Sequence, residues 1–182
     1  MKMNLLTVAS LLRKGKIGVM PTDTLYGLVG SALLPEVVDR VYRVRKRNRK
    51  KPMIVLIASK DDLAHFGIIL NSRQAKLLKQ VWPGPHSIIL PCCSKKYHYL
   101  HRGKKSLAFR VPADEELRRF LQKTGPLVAP SANPEGRDPA RTIRQARAYF
   151  GESIDFYIRG YVRDKPSEII EISNSGTISK VR

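Results

Sequence analysis

Two segments of the chain place a hydroxyl residue and a second small polar residue just after an apolar run and a proline. IGVM (17–20) leads into PTDT (21–24), and LVA (127–129) leads into PSAN (130–133). An apolar run of this length reads as a buried strand, and proline, with no N–H to give to a ladder, ends it. Thr22, Thr24, Ser131 and Asn133 are thereby delivered at strand carboxyl ends, where open α/β sheets bind ligands. The same residue types cap helices and close turns, so either segment alone is more simply a turn; the duplication puts a ligand site on equal footing. Arg110 adds a third element, because a guanidinium inside the apolar strand SLAFRVP (106–112) needs an anion. That anion is a ligand carboxylate or, alternatively, an internal acid.

Seven of the nine residues from 43 to 51 are basic, namely Arg43, Arg45, Lys46, Arg47, Arg49, Lys50 and Lys51, with no acid among them. Nucleic acid, a phosphorylated small molecule or plain water could face such a run. The chain has no G-x-x-x-x-G-K-[ST] loop and no G-x-G-x-x-G turn, so a nucleotide would have to be held by side chains, and this run supplies them. No serine or cysteine elbow accompanies the four histidines, which gives a hydrolytic triad no support. Cys92 and Cys93 are adjacent and point to opposite faces of a strand, which disfavours a disulfide between them. With His98 and His101 they match no common zinc spacing, and no protein-bound metal is expected. Without a signal peptide or an apolar run of membrane length, the chain is expected in the reducing cytoplasm with no membrane partner.

These residues must be carried by elements that the periodicity outlines. Residues 7–14 read as a short helix stopped by Gly15, 35–46 as a helix opened by Pro35, and 53–58 as a buried strand. KDDLAHF, SRQAKLLKQVW, ADEELRRFLQK and TIRQARAYF read as helices. HSIILP, SLAFRVP, LVAP, FYIR, EIIEI and TISKVR read as strands. Strands and helices alternate, with strand pairs interrupting, so an α/β class with a mixed sheet is expected, as one domain over 1–182. The 34 basic residues exceed the 15 acidic ones by 19 charges, a field that attracts polyanions or else keeps a solvated face soluble.

With those residues in view, the chain resembles the YrdC family of threonylcarbamoyl-AMP synthases, in its short single-domain form. The resemblance rests on PTDTLYGL (21–28), RKRNRKKP (45–52), WPGPHSIIL (82–90), SLAFRVP (106–112), PSAN (130–133), RT (141–142) and KPSEI (165–169), in family order. It implies a twisted, open mixed sheet with flanking helices around a basic cavity. It also implies a reaction of L-threonine, bicarbonate and ATP that gives L-threonylcarbamoyl-adenylate and pyrophosphate, with Mg2+ arriving with ATP. Downstream threonylcarbamoyl-transferase proteins would then modify tRNA. By position, Arg45, Arg47, Ser131 and Asn133 are the implied catalytic set. Arg47, Lys51, Ser106, Asn133, Arg141 and Arg182 are implied for ATP, and Thr24, Arg110, Ser131 and Ser167 for threonine. Two departures stand out: Arg45 where the family usually has lysine, and Ser87 where threonine is common. The alternative reading is a module that binds double-stranded RNA or tRNA without turnover. A relative that keeps the fold and has lost the reaction is a third, against which the retained S-x-N element speaks.

Overall fold

The computed structural model describes residues 4–172 and 178–181. Its first helix, α1 (Leu5–Arg13), starts where the Asn4 side chain accepts from the Leu6 N–H, and buries Val8, Ala9 and Leu12 at helical spacing. The chain then turns at Gly15, in the left-handed region at φ 78, into β1 (Gly18–Pro21). A tight turn follows, and β2 (Tyr26–Ser31) runs back antiparallel to β1. Next come α2 (Pro35–Val44), β3 (Val55–Leu56) and a 3-10 turn at Lys60–Phe66. After α3 (Ser72–Val81) and β4 (His86–Pro91), a short turn at Lys95–Tyr97 runs into α4 (His98–His101). The chain is completed by β5 (Ser106–Arg110), α5 (Glu115–Thr124), β6 (Leu127–Val128), α6 (Ile143–Phe150), β7 (Phe156–Tyr157), β8 (Glu168–Ile172) and β9 (Ile178–Lys180).

The described strands form one mixed sheet in the order β7-β1-β2-β6-β3-β5-β4-β8-β9. The β1–β7, β3–β5 and β4–β8 pairs are parallel and the others antiparallel. Successive side chains alternate between faces, and the two halves of the core follow that period. Val19, Leu28, Val55, Ile88, Phe109 and Val128 face one cluster with Val37, Val38, Val41 and Tyr42 of α2. Met20, Val29, Leu56 and Leu127 face the other with α1 and α5. Gly30 allows α2 to lie close to β2, since a Cβ there would meet Val37 Cγ1 at 2.6 Å. The face carrying α1 and α5 is covered only over the first half of the sheet. Over β5, β4 and β8 it presents Ser106, Ala108 and Arg110, Ile89, and Ser167 and Ile169, and these line an open cavity.

β7 and β8 are consecutive in the chain yet stand first and eighth in the sheet. Seven strand spacings of roughly 4.8 Å make about 34 Å measured along the sheet. Residues 158–167 connect the two strands past the cavity, bending at Asp164 (φ 55), and Asp164, Pro166 and Ser167 join its lining. They are pinned on the way, where Tyr26 Oη donates to Gly160 O (2.7 Å) and accepts from Gly160 N (3.2 Å).

The sequence expectations hold for most elements, with differences that have physical reasons. YGLVGS was given no element by the sequence reading; it forms β2, and its Gly27 and Gly30 are points of close approach to Thr22 and α2. Pro21 pairs with Tyr26 as the last residue of its strand. The six apolar residues 53–58 contribute only Val55–Leu56 to the ladder, and Lys60–Phe66 is 3-10 rather than α-helical. The turn and helix at 95–101 have no counterpart in the sequence reading.

Candidate active site

The cavity encloses about 730 Å³. One end is built where α2 stops. Arg45 caps that helix, and its side chain turns inward to the 130–133 corner. Nε donates to Asn133 O (2.8 Å), and Nη2 donates to Asn133 Oδ1 (3.1 Å) and Ser131 Oγ (3.4 Å). The planar fork does this from two nitrogens at fixed spacing, whereas an ammonium would carry its three donors on a single atom. Asn133 is fixed in turn, because its Nδ2 donates to Pro134 O and Arg137 O. Burial first, and then the neighbouring Arg47 charge, bring the Arg45 pKa down to about 10, so it stays protonated at neutral pH.

Beyond Arg45 the backbone reverses through Lys46, at φ 52, and Glu135 welds the bend to the corner. Glu135 N donates to Arg45 O (2.8 Å), while its carboxylate accepts from Asn48 N and from Lys51 Nζ (2.7 Å). The Lys51 ammonium, and then the Asn48 N–H, hold the Glu135 carboxyl below its ordinary range. Arg47 is oriented by Lys51 O (3.2 Å) and Pro52 O (2.9 Å) and lines the cavity. The basic run is therefore divided. Arg45 and Arg47 face inward, Lys51 is turned to Glu135 outside the lining, and Arg43, Lys46, Arg49 and Lys50 are exposed.

The opposite end is the β1–β2 turn against β5. Arg110, 3% exposed, forms an ion pair through Nη1 with Asp23 Oδ1, and its Nη2 donates to Thr22 O (2.8 Å). Asp23 Oδ2 accepts from Ala113 N (2.9 Å). Thr22 Oγ1 donates to Leu25 O (2.8 Å), and Thr24 is buried beside it and lines the cavity. On the floor, Ser167 Oγ lies 2.9 Å from the fully buried Ser87 Oγ. Ser106 lines the wall, and Arg141 stands exposed at the mouth, 3.3 Å from Asp164.

The structure thus brings Thr24, Arg45, Arg47, Ser106, Arg110, Ser131, Arg141 and Ser167 around one hollow. Asn133 supports it from behind the lining, Lys51 lies outside, and Arg182 falls outside the described residues. Of the two readings for Arg110, the structure shows the internal acid, Asp23, and the guanidinium also lines the cavity. Asp23, Glu135 and Asp164 were missed by sequence reasoning. The available signal was their scarcity: an acid inside a candidate motif of so basic a chain calls for a reason. Cys92 and Cys93 are free thiols, and no helix among the described residues is long and apolar enough to cross a membrane.

Fold and site together define an open α/β protein whose half-covered sheet holds fixed guanidinium groups and small hydroxyls around a ligand-sized cavity. The chain belongs to the Sua5/YciO/YrdC family, described as "Telomere recombination", whose model matches residues 10–182. It is 34% identical over 163 residues to a threonylcarbamoyl-AMP synthase of Marinobacter nauticus, covering 87% of this chain and 85% of that protein. Among solved structures it is similar to P. abyssi Sua5 complexed with L-threonine, at 28% identity and a TM-score of 0.88. That match covers 98% of this chain and 53% of the other, so the chain spans about half its length. The E. coli YciO crystal structure, 22% identical with a TM-score of 0.84 over 98% of this chain and 87% of the other, shares the fold.

Proposed function

We propose that this chain is a nucleotidyltransferase that forms L-threonylcarbamoyl-adenylate and pyrophosphate from L-threonine, bicarbonate and ATP, for threonylcarbamoyladenosine modification of tRNA. The observation that carries the reading is the meeting of the basic bend with the 130–133 corner through Arg45, inside a cavity that also holds Arg47 and Arg110. A threonine carbamate oxygen attacks the α-phosphorus of ATP, and pyrophosphate leaves. Attacker and target are both anionic, so the site has to cancel their repulsion and stabilise the leaving charge. Arg45 and Arg47 supply fixed positive charge at one end, and Arg141 adds more at the mouth; Mg2+ enters with ATP as part of that substrate. Arg110, beside Thr24 and Ser167, takes the threonine carboxylate at the other end. The carbamate forms from amine and bicarbonate without an enzymic base.

The test mixes protein, ATP, Mg2+ and bicarbonate with single amino acids and follows pyrophosphate release and adenylate formation. Product is expected with threonine only, and equal turnover with several amino acids would overturn the assignment. Arg47→Ala is expected to lose about 2.7 to 4 kcal/mol of transition-state stabilisation, a hundredfold to thousandfold in rate. The reaction is placed in the cytoplasm, where Cys93 stays reduced and downstream threonylcarbamoyl-transferase proteins consume the adenylate.

A second reading is favoured by Arg43, Lys46, Arg49 and Lys50, which are exposed outside the cavity lining. Such a surface suits the phosphates of tRNA or double-stranded RNA. RNA binding that falls steeply with salt, without threonine-dependent turnover, would make the chain a binding module.

A further inference from the structure

Asp23 sits in the PTDT turn at φ 60, a left-handed backbone for which glycine or asparagine is the easier occupant. Its carboxylate is committed at both oxygens, to Arg110 Nη1 and to Ala113 N. The corner carrying Ala113 is itself held by Arg118 Nη1, which donates to Pro112 O (2.8 Å) and Ala113 O (2.7 Å). Arg110 therefore cannot swing without giving up both Asp23 and Thr22 O. The same pairing changes its charge. Arg110 with Asp23 is close to a neutral unit, whereas the hydrogen bonds of Arg45 at the other end all run to uncharged oxygens.

We propose that Asp23 is a positioning and specificity residue that acts through Arg110: it fixes the guanidinium toward the cavity, and by neutralising it keeps polyphosphate out of the amino-acid end. The cavity receives two anions, one carrying a single carboxylate and the other a triphosphate. A compensated arginine can still give two directed N–H groups to a carboxylate, but it has no surplus charge with which to draw a triphosphate from Arg45 and Arg47. Uneven compensation of two equally buried arginines thus sorts the substrates to opposite ends. This inference rests on the function proposed above and concerns how the same site tells its ligands apart.

The test is Asp23→Asn, with initial rates of pyrophosphate release measured against L-threonine in the presence of inorganic tripolyphosphate. The expected result is a tenfold or greater fall in kcat/KM for threonine, a KM for ATP within threefold of the unaltered protein, and tripolyphosphate inhibition that becomes competitive with threonine. A purely structural role would not move the inhibition pattern. If Asp23→Asn fails to fold, Arg110→Met is compared with Asp23→Asn/Arg110→Met, a double variant that leaves no unpaired buried charge. The double variant is expected to match or exceed Arg110→Met in kcat/KM for threonine, since it removes the carboxylate that Arg110→Met leaves unpaired, with no competition by tripolyphosphate in either. A threonine kcat/KM within twofold of the unaltered protein in Asp23→Asn, an unchanged inhibition pattern, or a further loss in the double variant would overturn the proposal. Absence of threonine-dependent turnover in the unaltered protein would instead sink the underlying function.

Discussion

Among the described residues, Arg45 and Arg110 are the two buried arginines of the cavity, each 3% exposed, and they are stabilised in opposite ways. Arg45 is held by a backbone carbonyl, an amide oxygen and a hydroxyl, and the acid within its reach, Glu135, is already bonded to Lys51 and Asn48, so most of its charge is left to the cavity. Arg110 is held by a carboxylate and a carbonyl, so most of its field is spent locally. Burial depth therefore says little about what a cation offers a ligand; the charge of its protein partners decides. The first end is arranged to attract, the second to orient.

The largest effect that would sharpen this contrast is that of Arg47→Ala, whose hundredfold to thousandfold loss should appear in kcat and in the ATP dependence. If the loss appeared in the KM for threonine instead, the division of the cavity would be wrong. Arg45→Lys should come next. It keeps the charge but loses the fork over Ser131 and Asn133, and hydrogen bonds to a charged group at about 1.5 to 3 kcal/mol predict roughly a tenfold to hundredfold fall in kcat/KM for ATP. An activity equal to that of the unaltered protein would show that charge alone suffices at this position.

Salt should separate the ends more gently. Raising ionic strength toward about 1 M shortens screening to roughly 3 Å, so the KM for ATP should rise several fold while that for threonine holds within about twofold. Parallel rises would mean that Arg110 is not compensated. The smallest effect concerns acid. The Glu135 carboxyl is held below its ordinary value by Lys51 and Asn48. The Asp155 carboxyl is raised by burial but held lower still by the Ile17 N–H and Arg40. A depressed folded pKa means stability that is present above the unfolded carboxyl range and lost as pH falls through the folded values. The melting temperature should thus hold near neutrality and decline below about pH 4, modestly because solvent reaches both ion pairs and screens them. A melting temperature that rises on acidification would contradict both assignments.

The site was legible where its signal was local. The two proline-terminated segments, the basic run and the lone arginine of SLAFRVP each announce themselves within a few residues, and all reach one hollow. What could not be read was pairing across the chain. Nothing near Lys51 says that its ammonium meets Glu135, and nothing near Arg110 names Asp23 as its acid. Helices with a cap and an apolar stripe, such as α5 with Asp114 at its start, were found to within a residue or two. β2 was missed because glycine reads as loop until the helix that presses on it is known. The strand at 53–58 was overdrawn because an apolar run reports burial rather than ladder length.

The bridge from β7 to β8 carries the chain from one edge of the sheet to the strand next to the other. Trimming residues from 158–167 would pull on Gly160, held by Tyr26, and on Asp164, paired with Arg141, before it reached β8. Splicing in a few glycines would cost little closure entropy, since even a doubled loop adds only about 0.6 kcal/mol, yet it would let Ser167 and Ile169 drift from the floor. Its contacts at Gly160, Asp164 and Ser167 act as three stitches that hold the wall of the hollow in place.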